Sequence, residues 1–105
     1  MWSNEGNNIK MAEGDFGIAL PVTVSGVTLS VQDTLRFVFK RMRNGETILT
    51  KEYIPVNGMA PLEFTEEESA LFRVGEYVYS LDWYQNGSFL CNVIPWAKFK
   101  VVDKA

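Results

Sequence analysis

Apolar and polar residues alternate along most of this chain, in short runs separated by residues that favour turns. In residues 16–24 every second position is apolar, which is the period of a strand with one buried face. Residues 34–42 repeat that period, and residues 76–84 form the longest such run. Strands that recur about every eight to twelve residues, with turns between them, are typical of an all-β sandwich.

Shorter signals predict the other strands and the turns. Asn44-Gly45, Asn57-Gly58 and Asn86-Gly87 are strong two-residue hairpin signals, because both residues tolerate a positive φ. Pro21 cannot donate to a ladder and predicts an edge strand or a bulge. Pro95 is predicted to break the strand that contains it. The shorter strands are predicted at residues 9–11, 46–54, 59–65, 88–94 and 99–102.

A capped helical turn is predicted between two of these strands. Thr65 and Glu68 have the spacing of a capping box, in which the hydroxyl accepts a backbone N–H and the carboxylate reaches back. Gly75 ends the segment, and Tyr77 follows near the start of the next strand. In many immunoglobulin-like sandwiches a tyrosine so placed bonds back to the corner backbone, here near residues 72–74. The sequence therefore predicts an immunoglobulin-like antiparallel β-sandwich of about seven to nine strands with one short helical turn.

The inward-facing positions of the strands give the predicted core. Its members are Leu20, Val22, Leu35, Phe37, Phe39, Leu62, Phe64, Leu71, Tyr77, Tyr79, Leu81, Trp83, Cys91, Val93, Phe99 and Val101. Cys91 has apolar neighbours and is expected to be a buried, inert thiol. With 105 residues, 47% of them apolar, the chain can fill a core without metal or disulfide. Residues 1–8 are predicted to form a flexible N-terminal lead and residues 9–105 a single domain.

The charge pattern argues against several partners. The net charge is −3, whereas a nucleic-acid binder normally carries a basic stripe. The basic cluster formed by Lys40, Arg41 and Arg43 is interpreted as a solvated strand end. No window approaches the roughly 20 apolar residues of a membrane span. The N-terminus lacks the pattern of a signal peptide, so synthesis in the cytoplasm is expected.

The residues that carry most enzyme chemistry are scarce. The chain has no histidine, which is the commonest general base and transition-metal ligand, and Cys91 is its only cysteine. Residues 66–68 are three glutamates, but consecutive helical positions diverge and seldom converge on one calcium ion. Asp15 and Asp33 are assigned to turns, and no pattern brings either together with Asp82 as a catalytic pair. We therefore expect a protein that is not an enzyme and has no metal or cofactor.

Aromatic residues outside the predicted core form a candidate contact surface. Its members are Trp2, Tyr53, Tyr84 and Trp96. Exposed aromatic residues most often mark a protein contact, which is the favoured interpretation. The alternative is a carbohydrate-binding or adhesin-like module that stacks sugar rings on these side chains.

Five segments together resemble a known family. They are IKMAEGD at 9–15, DTLRFVFK at 33–40, TEEESAL at 65–71, GEYVY at 75–79 and FKV at 99–101. In order and spacing they resemble the immunoglobulin-like N-terminal domain of phage baseplate upper proteins and related prophage tail-associated modules. This resemblance implies a structural or assembly protein that packs against other phage subunits, or against itself, within a virion or tail-like particle.

Overall fold

The computed structural model describes residues 2–5, 8–15, 20–23, 32–55 and 59–103. Strands dominate these segments, so the predicted all-β class is confirmed. The elements are β1 (Trp2–Glu5), β2 (Asn8–Ala12), β3 (Leu20–Thr23), β4 (Asp33–Lys40), β5 (Thr47–Tyr53), β6 (Met59–Leu62), α1 (Glu66–Ser69), β7 (Gly75–Gln85) and β8 (Ser88–Val102). Within the described ranges, no helix has the length and apolarity needed to cross a membrane.

The strands form one large sheet and one small one. The large sheet has the order β1-β2-β8-β7-β4-β5, and β3 pairs with β6 in the small sheet. Because β2 runs parallel to β8, the large sheet is mixed, and the wholly antiparallel arrangement predicted from the sequence is wrong at that pair. In the small sheet Pro21 lies opposite Pro61. Within the described residues each of the two strands pairs only with the other, so both prolines lie on edge strands.

One face of the large sheet packs into an aromatic core. Along β4 the buried residues alternate with half-buried ones, as the sequence pattern predicts. The Phe39 ring is 5.5 Å from that of Phe64 and 5.2 Å from that of Phe99, between ring centroids. Edge-to-face contacts of this kind add to the hydrophobic gain. The core comprises Ile9, Met11, Leu35, Phe37, Phe39, Leu62, Phe64, Phe72, Tyr77, Tyr79, Leu81, Phe99 and Val101.

Four predicted core residues lie elsewhere. The prediction is wrong for Leu71, which is 50% exposed, while its neighbour Phe72, after the end of α1, is buried. The prediction of a buried thiol is also wrong for Cys91, which is exposed. Trp83 and Val93 are half-buried and pack against the core from its margin. Leu20 and Val22 belong to β3, whose side chains lie outside the described part of the structure.

The error at Cys91 follows from its position near the end of the β7–β8 hairpin. Three register shifts separate Tyr79 from Tyr84 on β7, and at each of them β8 contains one residue more than β7. A shift of one residue turns the following side chains to the other face of a sheet, so the two shifts before the Trp83–Cys91 pair cancel. Cys91 therefore shares a face with the half-buried Trp83, but it lies beyond the core in the exposed stretch 86–92. The strand is nevertheless continuous through Pro95, where the sequence predicts a break.

The three predicted hairpin turns have different outcomes. Asn86-Gly87 forms a two-residue turn with φ values of 50° and 81°, as predicted. Asn44-Gly45 lies instead in the longer connection 41–46, where the Gly45 N–H donates to the Met42 carbonyl at 2.9 Å. Asn57-Gly58 lies outside the described residues.

The start of the chain also differs from the prediction. Residues 2–5, expected to belong to a lead without regular structure, form β1 and pair antiparallel with β2. The sequence Ser3-Asn4-Glu5 shows no apolar alternation, so the strand follows from pairing with β2 and not from a local pattern.

The capping box is present at α1. The Thr65 hydroxyl accepts from the Glu68 N–H at 3.2 Å, and the Glu68 carboxylate accepts from the Thr65 N–H at 2.9 Å. Glu68 also forms an ion pair with Lys51 at 2.7 Å, which ties the turn to β5. The cap therefore fixes the start of α1, and the ion pair holds it against β5.

Candidate functional site: an aromatic and cationic sheet face

The large sheet has a second face, directed away from the aromatic core. On β4 this outer face carries Arg36, Val38 and Lys40, which alternate with the core residues. The β7 residues opposite Arg36 and Val38 are Asp82 and Ser80. We call this surface the outer face, and it brings two of the four predicted aromatic residues together with two cations.

Tyr84 is held on the outer face by Arg36. The Arg36 guanidinium carbon lies 4.1 Å from the centroid of the Tyr84 ring, and Arg36 Nη1 donates to the Tyr84 hydroxyl at 2.8 Å. Arg36 Nη2 also pairs with Glu52 at 3.3 Å. Stacking and hydrogen bonding together fix the guanidinium plane, which lowers the entropy cost of using it in a contact.

Trp96 is presented by a bulge. Between the pairs Tyr79–Ala97 and Leu81–Ile94, β8 contains one residue more than β7. Trp96 has a φ of 77°, which is a strained value for a bulky side chain. Its ring lies 5.2 Å from Lys40 Nζ, a cation–π contact on the outer face. A bulge that holds a strained residue often aims that side chain at a functional surface.

The other two predicted aromatic residues do not join this surface. Tyr53 faces the core side, where its ring is edge-on to Phe37 at 5.9 Å. Its hydroxyl both accepts from the Glu63 N–H at 3.2 Å and donates to the Glu63 carbonyl at 3.3 Å, so it links β5 to the segment after β6. Trp2 lies in β1, and its side chain is outside the described part of the structure.

An apolar tip extends the outer face and was missed in the sequence. Phe89 and Leu90 follow the Asn86-Gly87 turn and are 52% and 47% exposed. The Phe89 ring packs edge-on against Tyr84, with 5.6 Å between centroids. The sequence signal for this tip is an apolar pair placed one residue after a tight turn.

The acidic residues considered for catalysis have structural partners. Asp33 begins β4 and is 1% exposed, so its assignment to a turn is wrong. Its carboxylate accepts from Trp83 Nε1 at 2.8 Å and from Gln85 Nε2 at 3.3 Å. Asp82 accepts a hydrogen bond from Asn92 on β8. Within the described ranges, no group of three His, Cys, Asp or Glu side chains is arranged to hold a metal ion.

No protein-family model, curated protein or solved structure matches the chain. Any functional assignment therefore depends on the chemistry of the outer face and on the strand order that presents it.

Proposed function

We propose that this protein is a non-enzymatic structural or assembly module of the immunoglobulin-like type, which acts through protein–protein contacts in a phage or prophage tail or baseplate. Its place would be in a virion or tail-like particle, beside other structural subunits or copies of itself. The observation that carries the contact role is the outer face, where ordered arginine and aromatic side chains lie beside an exposed apolar tip. The phage setting rests on the sequence resemblance of the five segments alone.

The strand order supports the immunoglobulin-like part of the proposal. The neighbours β8, β7, β4 and β5 follow the order G-F-C-C′ of a variable-type sheet, and β3 with β6 takes the place of the B–E pair. With this correspondence α1 lies at the E–F corner. Tyr77, near the start of β7, which corresponds to strand F, bonds the backbone of Arg73 at that corner.

The composition of the outer face supports the contact role. Arginine, tyrosine and tryptophan are the residue types most enriched where binding energy concentrates in interfaces. Arg36 and Tyr84 are ordered by each other, and Phe89 adds exposed apolar area next to them. A partner that covers this face would bury apolar surface around a cation whose orientation is already fixed.

Carbohydrate binding is the alternative function, and the strained, half-buried Trp96 is the observation that favours it. Sugar rings stack on open aromatic faces. A cation already lies over one face of Trp96 and over one face of Tyr84, which favours the protein contact over the sugar platform.

Co-purification tests the proposed function. The tagged chain is mixed with tail and baseplate proteins encoded beside its gene, and complexes are sized by light scattering. We expect a stable complex or homo-oligomer that Tyr84→Ala and Trp96→Ala weaken. Leu71→Ala, which removes an exposed apolar side chain away from the outer face, should leave assembly unchanged. Glycan-array binding that Trp96→Ala abolishes, without any assembly, would favour the carbohydrate module instead.

A further inference from the structure

A basic groove lies at one end of the large sheet, where the connection after β4 meets β7 and β8. Its volume is about 470 Å³. Three cations line it, Arg41, Arg43 and Lys98, together with one carboxylate, that of Glu76. Lys98 comes from a distant part of the sequence and reaches the groove because it pairs with Val78 across the β7–β8 hairpin.

Arg41 is held in place within this groove. Its guanidinium carbon lies 4.8 Å from the centroid of the Tyr77 ring. It also packs against Gly75, where an added Cβ would lie 2.8 Å from Arg41 Nη1. The absence of a side chain at Gly75 therefore makes room for the guanidinium, and the Tyr77 ring orders it.

The cations of the groove form no ion pairs within the described part of the chain. No described carboxylate forms an ion pair with Arg41, Arg43 or Lys98, and Glu76 lies in the groove without pairing to any of them. The chain as a whole carries a net charge of −3, so this local excess of positive charge opposes the overall balance. With three cations against one carboxylate, the groove is positive on balance, and such a concave site concentrates anions.

We propose that this groove binds a carboxylate presented by an acidic segment of a partner protein. The planar fork of Arg41 matches a carboxylate in two parallel hydrogen bonds, and Arg43 and Lys98 supply further charge. Met42 and Val78 give the groove apolar walls that suit the aliphatic part of a glutamate side chain. The affinity for an anion follows from this geometry, whereas the protein source of the carboxylate rests on the proposed contact function.

A fluorescent hexaglutamate peptide probes the groove, and hexaglutamine of equal length is its neutral control. We expect the full chain to bind hexaglutamate alone, with an affinity that falls as salt rises. Arg43→Ala and Lys98→Ala should each weaken binding by about fivefold or more. Arg41→Lys keeps the charge but loses the planar fork, so a smaller loss is expected. Lys10→Ala removes an exposed cation outside the groove and should change affinity by less than about twofold.

A second arm of the experiment uses inorganic phosphate as the ligand and as a competitor. Weak competition by phosphate fits the proposal, because the groove would then select an extended carboxylate segment. Tighter binding of phosphate than of peptide would contradict the proposal that the ligand is a segment of a partner protein. The proposal that the groove binds anions would be overturned if the folded wild-type chain bound no peptide. It would also be overturned if Lys10→Ala lost as much affinity as the groove variants. Peptide binding in a chain that recovers no tail protein would support the groove and contradict the proposed assembly role.

Discussion

Tyr77 and the backbone of Arg73 share two hydrogen bonds. The Tyr77 hydroxyl accepts from the Arg73 N–H at 3.0 Å and donates to the Arg73 carbonyl at 3.0 Å. One side chain thereby satisfies both polar groups of a residue in the connection between α1 and β7. The same ring carries Arg41 on its face, so this corner links the fold to the basic groove.

Replacing Tyr77 with phenylalanine tests the strength of this corner. Tyr77→Phe keeps the ring in the core but removes both hydrogen bonds, so the free energy of unfolding should fall by about 1 kcal/mol. Urea unfolding measures the change. Arg73→Ala is the control, because it leaves the Arg73 backbone in place and should have a smaller effect. Equal stability of Tyr77→Phe and wild type would contradict the structural role of the hydroxyl.

Replacing Ser69, in the helical turn before this corner, is expected to raise the stability of the protein. Ser69 is 1% exposed, and its Oγ has no hydrogen-bond partner in the described part of the chain. Removing an unsatisfied buried hydroxyl relieves its desolvation cost, so Ser69→Ala should stabilise the protein by about 1 kcal/mol. Thr65→Ala removes the cap of the same turn and should destabilise by about 1 kcal/mol. Thermal unfolding of both variants checks the contrast, and a loss of stability in Ser69→Ala would show that the hydroxyl has a partner.

The pH dependence of stability reports on Lys51 and Glu68. Burial alone would raise the pKa of the Glu68 carboxyl, but hydrogen bonds from Lys51 and from the Thr65 backbone outweigh it and hold the pKa below its ordinary 4.5. Burial alone would lower the pKa of Lys51, but the hydrogen bonds and charge attraction of Glu68 and Tyr53 together outweigh it and raise the pKa above 10.5. The contribution of the pair to stability is therefore complete between pH 4.5 and pH 10.5.

Glu68→Gln isolates this charge, because glutamine still serves in a capping box. At neutral pH the variant should be less stable than wild type by up to about 1 kcal/mol. The difference should vanish as the pH falls through the lowered pKa of Glu68, and again as it rises through the raised pKa of Lys51. Burial raises the pKa of Tyr79 to about 12. Wild type and variant both contain Tyr79, so its titration cancels from the difference in stability between them. A difference that stays constant at acid pH would show that the charge is irrelevant.

Local signals predicted much of this fold, and tertiary pairing decided what they missed. The cap at Thr65 and the turn at Asn86-Gly87 depend on neighbouring residues alone, so they were readable in the sequence. Cys91 was misassigned because the β7–β8 hairpin extends beyond the core, and alternation alone does not show where the core ends. Lys98 could not be placed beside Arg43, because only the register of β8 on β7 brings them to one groove.

The bulge at Trp96 gives the last prediction. A φ of 77° costs an L-residue roughly 1–2 kcal/mol, whereas glycine adopts it freely. Trp96→Gly should therefore be more stable than Trp96→Ala by about 1 kcal/mol, although glycine normally weakens a strand. Lys100 lies on the same strand without a positive φ, so there the order should reverse, with Lys100→Ala more stable than Lys100→Gly. Urea unfolding of the four variants measures both differences, and alanine more stable than glycine at both positions would show that the bulge stores no strain.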